Sequence, residues 1–250
     1  MASEYLKWKY KDFKPDEKAE LTAAEKRQNW WHYHKWWVVF AAVAVIGGFF
    51  LIRDVFFRPV PDYQVGYVSK TPLPNAVLVS LQARLEELGE DVNGDGRVLV
   101  EIFTYNLGFD SQSMTDVDAA STGITRLTVD LSTGRVYCLL LDDPEGFQSR
   151  MGALSYLGGA VPPVDDPVFG ADDWREMVYR WEDCLALAAL DLGTYSEFLD
   201  MAETKHDGQE AMAELYIGRR AVWDDQQRNS FAADERLFQA LTAGAISMNE

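Results

Sequence analysis

The residues of this chain best suited to hold a metal ion form a short acidic loop, Asp91-Val-Asn93-Gly-Asp95-Gly96. Oxygen-bearing side chains at loop positions 1, 3 and 5, followed by glycine at position 6, reproduce the first half of a calcium-binding loop. A hard cation needs several oxygen ligands on one tight turn, and this spacing makes them converge. We therefore predict a calcium site. Its ligands would be Asp91, Asn93, Asp95, the backbone carbonyl of Arg97, and Glu101.

The second half of this loop departs from the calcium pattern. Position 12, where a bidentate glutamate is expected, is Ile102, and the acid Glu101 comes one residue too early. A bidentate carboxylate would have to come from Glu101 in altered geometry, from Glu90 or from elsewhere. The alternative is a helix-to-strand turn in which Asp and Asn side chains accept hydrogen bonds from backbone amides without a metal.

A second group of polar residues follows the predicted β-strands. Asp142 and Asp143 come directly after an almost wholly apolar run, which is typical of a central strand buried on both faces. Asn106 follows the preceding strand, and Ser69 and Lys70 follow the first. In open α/β sheets ligands bind at the carboxyl ends of the strands, so we expect these five residues to form the rim of a ligand pocket.

Catalytic motifs are missing from the sequence. It contains no G-x-S-x-G elbow, phosphate-binding P-loop, H-E-x-x-H zinc motif or G-x-G-x-x-G fingerprint. His206 beside Asp207 has no nucleophile near it in the sequence. The adjacent pairs of acidic residues that recur in the domain are explained by positions in solvated loops. We assign no catalytic residue and expect a protein that is not an enzyme. Cys138 and Cys184 could pair as a disulfide or remain free buried thiols.

Composition excludes several classes of protein. The chain has 250 residues, 48% of them apolar, two cysteines and a net charge of −17. It is too apolar for a disordered chain, too poor in cysteine for a disulfide scaffold and too acidic for a general nucleic-acid binder. The charge is uneven, because residues 1–35 are weakly basic, whereas the chain from Asp54 onward carries fourteen basic and thirty-four acidic residues, a net of −20. Such asymmetry indicates two environments.

The weakly basic and the acidic regions are separated by an uncharged run of seventeen residues, Trp36–Ile52, flanked by Lys35 and Arg53. A helix of this length falls slightly short of a hydrocarbon core of about 30 Å, but the flanking cations can snorkel and residues 55–57 extend the apolar length. A cleaved signal peptide or a buried core helix is the alternative. The run begins far from the amino terminus and no A-x-A-like cleavage site follows it, so we predict an uncleaved single span in the lipid bilayer of the cell membrane. A small excess of Lys and Arg before the run predicts a cytoplasmic amino terminus and an extracytoplasmic carboxyl-terminal domain.

These elements predict three regions: a flexible cytoplasmic tail (1–21), a juxtamembrane and transmembrane helix (22–57) and an extracytoplasmic α/β domain (58–250). Within the domain, strand and helix patterns alternate, which favours a three-layer α/β sandwich with a mainly parallel sheet. The predicted strands are 63–69, 97–105, 135–141 and 215–223, and the predicted helices are 75–88, 116–131, 144–150 and 233–246. Residues 181–192 fit either a strand or a helix.

Four segments carry a resemblance to a known group of proteins: NWWHYHKWWVVF from residue 29, PDYQVGYV from residue 61, EDVNGDG from residue 90 and LLDDP from residue 140. They resemble a group of uncharacterised single-pass membrane proteins of clostridial-type bacteria, as does LYIGRR from residue 215. The outer domain of that group is similar, more loosely, to one lobe of the extracytoplasmic solute-binding proteins of ABC transporters. The resemblance implies an anchored α/β lobe and leaves its ligand open.

Three functions fit these observations. The first is a membrane-anchored extracytoplasmic module that binds an unknown small ligand, as solute-binding proteins do. The second is a structural or assembly subunit that contacts a membrane-protein partner and has no small-molecule pocket. The third is an extracytoplasmic hydrolase, which the missing nucleophile and base disfavour. Nucleic acid is not an expected partner.

Overall fold

The structure, a computed structural model, describes residues 22–56, 59–107, 114–163, 173–199 and 202–248. The chain divides into two compact units, Met1–Arg58 and Pro59–Glu250. The predicted tail, residues 1–21, lies outside the described residues.

In its described residues, the first unit forms a long helix, α1 (Ala23–Phe56). It begins as a reciprocal capping box, in which Thr22 N donates to Glu25 Oε2 at 2.8 Å and Glu25 N donates to Thr22 Oγ1 at 3.4 Å. Within the described residues, α1 is the one helix long and apolar enough to cross a membrane, and the apolar part has no burial inside the protein. A single apolar helix near the amino terminus is compatible with a membrane anchor and with a signal sequence.

The second unit alternates helices and strands. In chain order these are β1 (Tyr63–Ser69), α2 (Asn75–Leu88), β2 (Val100–Asn106), α3 (Met114–Ser132), β3 (Cys138–Leu141), α4 (Pro144–Met151), a 3₁₀ turn (Trp174–Glu176), β4 (Val178–Arg180), α5 (Leu185–Ala188), β5 (Thr194–Leu199), β6 (Ala202–Asp207), β7 (Tyr216–Arg219), α6 (Asp225–Ser230) and α7 (Ala232–Leu241). The fold is thus mixed α/β. The undecided segment 181–192 forms turns around the short α5.

The main sheet has five strands in the order β2-β1-β3-β7-β4. β1 pairs in parallel with β2 and with β3, whereas β7 is antiparallel to both of its neighbours, β3 and β4. The sheet is therefore mixed, and the expectation of a mainly parallel sheet was too strong. Between β4 and β7 the chain forms turns, the four-residue α5 and the strands β5 and β6, so no long helical crossover forces β7 to run parallel. A separate hairpin pairs β5 with β6.

Two apolar clusters divide along alternate residues of the strands. In β3, Cys138 and Leu140 belong to the cluster that also contains residues of α2 and α7. Leu139 and Leu141 belong to the cluster that contains residues of α3 and α4. Because successive strand side chains point to opposite faces, these helix pairs cover different faces of β3.

One polar pair is buried in the second of these clusters. Asp130 of α3 is only 4% exposed, and its Oδ2 accepts a hydrogen bond from Tyr105 Oη of β2 at 2.7 Å. Arg126 and Arg135 place guanidinium nitrogens 3.7 and 3.4 Å from the same carboxylate. Burial, followed by the hydrogen bond to Asp130, raises the pKa of Tyr105.

Candidate functional site

The residues predicted to form a pocket rim come together at one edge of the sheet. Ser69 Oγ and the backbone amide of Lys70 both donate to Asp142 Oδ2, each at 2.7 Å. Lys70 Nζ lies 3.7 Å from Asp143 Oδ2, and Asn106 is in register with Ser69. The parallel pairing of β1 with β2 and β3 produces this meeting of the strand ends.

The two aspartates of this group also hold the local chain. Asp142 Oδ2 fixes the turn after β1 through the two bonds just described. Asp143 Oδ1 accepts the amide of Gly146 at 2.9 Å and caps α4, whose first residue is Pro144. The contacts of Asp142 Oδ2 and of both Asp143 oxygens are therefore explained by the fold without a ligand. Ligand binding by this group stays a prediction.

The predicted calcium loop closes on its own backbone amides. Asp91 Oδ1 and Oδ2 accept from Gly94 N and Gly96 N at 2.7 and 2.8 Å. Asn93 Oδ1 accepts from Asp95 N at 2.8 Å, and Asp95 Oδ1 from Arg97 N at 2.9 Å. Gly94 and Gly96 have φ of 75° and 84°, values that favour glycine.

Asp62, just before β1, also holds this loop, although it is not among the predicted ligands. Its Oδ1 accepts the amides of Val92 and Asn93 at 2.9 and 3.0 Å, and its Oδ2 accepts that of Leu99 at 2.9 Å. Among the described residues no group of three or more His, Cys, Asp or Glu side chains is arranged to hold a metal. The amide bonds match the metal-free alternative, and calcium binding stays a prediction.

A cavity of about 580 Å³ lies elsewhere, between the end of β7, the loop after α4 and helices α6 and α7. We call it the arginine-lined cavity, because its charged lining consists of four arginines and one glutamate: Arg219, Arg220, Arg228, Arg236 and Glu235. The remaining wall includes Tyr137, Ser155, Gly158, Val161 and Val222. The domain has a net charge of −20, so this lining is a local region of net positive charge on an acidic domain.

Glu235 is the centre of a hydrogen-bonded network in this cavity. It forms an ion pair with Arg219 and accepts hydrogen bonds from the hydroxyl of Tyr137 and, at 2.7 Å, from Gln239 Nε2. Its pKa is lowered because these bonds and the Arg219 charge outweigh a desolvation that acts in the opposite direction. Arg219 Nη2 also donates to the carbonyls of Tyr156 and Leu157 at 3.2 and 2.8 Å, which fixes the loop wall.

Arg220 is satisfied far less well than its neighbour. Its side chain is 7% exposed, and Nη1 is buried without a hydrogen-bond partner in the described structure. Nε reaches only the carbonyl of Ala221, at 3.5 Å, and the guanidinium carbon lies 5.1 Å from the centre of the Phe231 ring. Burial lowers the pKa of Arg220, the direction expected when a cation loses water without gaining an anion.

The cavity lies at the edge of the sheet opposite to the predicted pocket rim. Arg219, the last residue of β7, pairs with Cys138, the first residue of β3, because the two strands are antiparallel. The carboxyl ends of the parallel strands indicate the edge with the predicted rim, whereas the cavity lies at the edge where β7 ends. The available signal was the pair Arg219-Arg220, two adjacent cations after an apolar strand in a strongly acidic region.

The two cysteines belong to the packed interior. Cys138 and Cys184 are both buried free thiols. Burial raises the pKa of both, that of Cys184 to about 12, so neither carries a reactive thiolate near neutral pH.

Comparisons of the chain with models of protein families, with curated proteins and with solved structures find no match.

Proposed function

We propose that this protein is a membrane-anchored binding module, in which α1 spans the lipid bilayer and the carboxyl-terminal domain binds a small molecule in the arginine-lined cavity. The charge bias of the sequence supports a cytoplasmic amino terminus and an extracytoplasmic domain. The observation that carries the proposal is the cavity itself. Its volume of about 580 Å³ falls within the range of roughly 300–1,000 Å³ that is typical of ligand pockets.

The wall of the cavity has the composition of a binding site. Apolar groups of Val161, Val222 and Tyr137 line it together with the hydroxyl-bearing Ser155 and the arginines. Ligand sites generally combine an apolar surface with a few fixed polar groups that orient the bound molecule. Here Arg219 is fixed by its ion pair with Glu235 and by two loop carbonyls, so this part of the wall is ordered before a ligand arrives.

The architecture is compatible with this function. The two apolar clusters on alternate residues of β3 support a three-layer sandwich, with α2 and α7 covering one face and α3 and α4 the other. All residues that line the cavity belong to one unit of the chain. A domain like one lobe of a solute-binding protein could therefore bind a ligand without a second lobe.

The experiment uses the full chain in phosphatidylcholine nanodiscs. The unfolding midpoint is measured with a library of sugars, amino acids, peptides, organic acids and phosphates. Wild-type protein should be stabilised by at least one class, because a ligand that binds only the folded state raises the midpoint. Gly158→Phe should abolish this shift. Gly158 lines the cavity, and a Cβ at this position would meet no atom within 4 Å, so the added ring can occupy the space of the ligand without a clash in the protein.

Ala240→Phe is the matched control, because Ala240 is exposed on α7 and does not line the cavity. Equal loss of binding in both variants would contradict the assignment of the site. No shift with any compound class, together with capture of one membrane protein from solubilised membranes, would instead support the alternative of an assembly subunit.

A further inference from the structure

Arg220 presents an unusual combination of burial and missing partners. Removing a guanidinium from water is costly unless anions or carbonyl groups replace the lost hydrogen bonds. Arg219 receives an anion and two carbonyls from Glu235, Tyr156 and Leu157, and only its Nε is buried without a partner in the described structure. Arg220 has one long bond to a carbonyl, no anion, and an unpartnered Nη1. The wall of the cavity therefore contains a buried cation with an unsatisfied donor.

Glu235, the acid in the cavity lining, already has partners for its carboxylate. Both oxygens of Glu235 are used, Oε1 by Arg219 and Gln239 and Oε2 by Tyr137. The network thus neutralises one arginine and leaves the charge of Arg220 uncompensated. At the rim, Arg228 Nη2 donates to the carbonyl of Val222 at 3.3 Å, and its nearest acid is Asp225, at 4.0 Å. Arg236 Nη2 lies 2.9 Å from Glu90.

Helix α7 adds a second source of positive potential. Its first residue, Ala232, lines the cavity, and its N-cap residue, Phe231, provides no side-chain hydrogen bond to the first turn. The amides at the start of a helix without such a cap are unsatisfied and carry a partial positive charge. Asp234 and Glu235 in the first turn offset part of this charge, but Glu235 is paired with Arg219.

We infer that the ligand of the arginine-lined cavity bears an oxyanion, a carboxylate or a phosphate, which binds Arg220 with Arg228 and the start of α7 around it. This inference rests on the proposed function and names the chemistry of its ligand. A planar guanidinium offers paired donors that match such oxygens. The acids of the domain do not prevent binding, because salt screens exposed charges beyond about 8 Å at physiological ionic strength.

The test is calorimetry on the full chain in phosphatidylcholine nanodiscs, which carry no net charge. The probes are inorganic phosphate, succinate and the uncharged analogue succinamide. Phosphate or succinate should bind and succinamide should not. Comparison of the first two distinguishes phosphate from carboxylate recognition. Arg220→Gln should weaken binding of the anion at least about tenfold, the effect of losing one charged hydrogen-bond pair.

Arg175→Gln is the matched control, because Arg175 is exposed and lies outside the cavity lining. If Arg220→Gln fails to fold, Arg228→Gln takes its place, since Arg228 is exposed at the rim and its loss should weaken the anion several-fold. Equal effects of the cavity and control variants would overturn the inference. Stabilisation by neutral solutes alone would overturn it and leave the proposed function standing, whereas binding of no solute of any class would overturn both.

Discussion

Tyr105 Oη donates a hydrogen bond to Asp130 Oδ2 at 2.7 Å and so joins strand β2 to helix α3 inside the apolar core. Asp130 is almost fully buried, whereas the two cations near it, Arg126 and Arg135, are about half exposed. The tyrosine hydroxyl is therefore the buried partner of this carboxylate.

The first prediction concerns the stability of this pair. Tyr105→Phe should lower the free energy of unfolding by about 1–3 kcal/mol, because it leaves a buried carboxylate oxygen without its donor. Urea unfolding of the full chain, followed by circular dichroism, measures the change. Tyr179→Phe is the control, since the hydroxyl of Tyr179 makes no hydrogen bond within the described structure. Equal costs in the two variants would contradict the role of the bond.

The second prediction concerns pH. Burial raises the pKa of Asp234 to about 6, from an ordinary value of 3.8. Because the folded state binds the proton more tightly than the unfolded state, this group favours folding below its ordinary pKa, and the contribution is lost as pH rises through about 6. Asp234→Asn should remove this dependence, which amounts to roughly 2–3 kcal/mol between about pH 4 and pH 7.

Denaturant unfolding of wild type and Asp234→Asn across this range checks the prediction. The variant should gain stability relative to wild type as pH rises, because the neutral amide avoids burying a charge among Cys138 and Tyr63. A difference between the two proteins that stays constant with pH would contradict it.

The third prediction concerns the Asp91–Arg97 loop. Under the calcium hypothesis, calcium at about 1 mM, which is at or above the dissociation constants of many extracellular modules, should raise the unfolding midpoint of the wild-type protein and not of Asp95→Ala, which removes a ligand oxygen. Magnesium at the same concentration is the control, because it prefers a smaller, octahedral site. An unchanged midpoint with calcium would favour the loop closed by its own amides.

The fourth prediction concerns α1. As a membrane span, it should keep the wild-type chain in the membrane fraction after alkaline carbonate extraction. The pair Val43→Arg and Ile46→Arg should release it, because each arginine at the centre of a span costs about 2.5–3.5 kcal/mol of insertion. Val79→Arg, at an exposed position of α2, is the control. Retention of the doubly substituted chain would contradict a spanning helix.

Local signals predicted the first half of the domain well. Strand β1 and helix α2 have the predicted bounds, because β-branched and aromatic residues in one and apolar residues at helical spacing in the other leave little ambiguity. Pro74 occupies the N-cap position of α2 and provides no side-chain hydrogen bond, so Asn75 is the first residue of the helix. The predicted strand 97–105 begins only at Val100, because Asp62 holds Leu99 in the loop.

The second half depended on long-range contacts. The hairpin of β5 and β6 was missed because most of its described side chains are exposed, so it has no apolar alternation to detect. The direction of β7 has no local signal, and the arginine-lined cavity follows from it. Its lining spans Tyr137 to Gln239, and no spacing along the chain could have brought these residues together.

Because β7 runs antiparallel to β3, the arginine-lined cavity and the bonds of Asp142 lie at opposite ends of these strands. Asp142 follows the last residue of β3, and the amide of Arg220 donates to the carbonyl of Tyr137, which precedes the first. Five residue steps, about 16 Å, therefore separate the two positions along the strand. Substitutions this far apart without shared partners usually have additive effects. Substitutions in the lining of the cavity should therefore leave the contribution of the Asp142 bonds to folding unchanged.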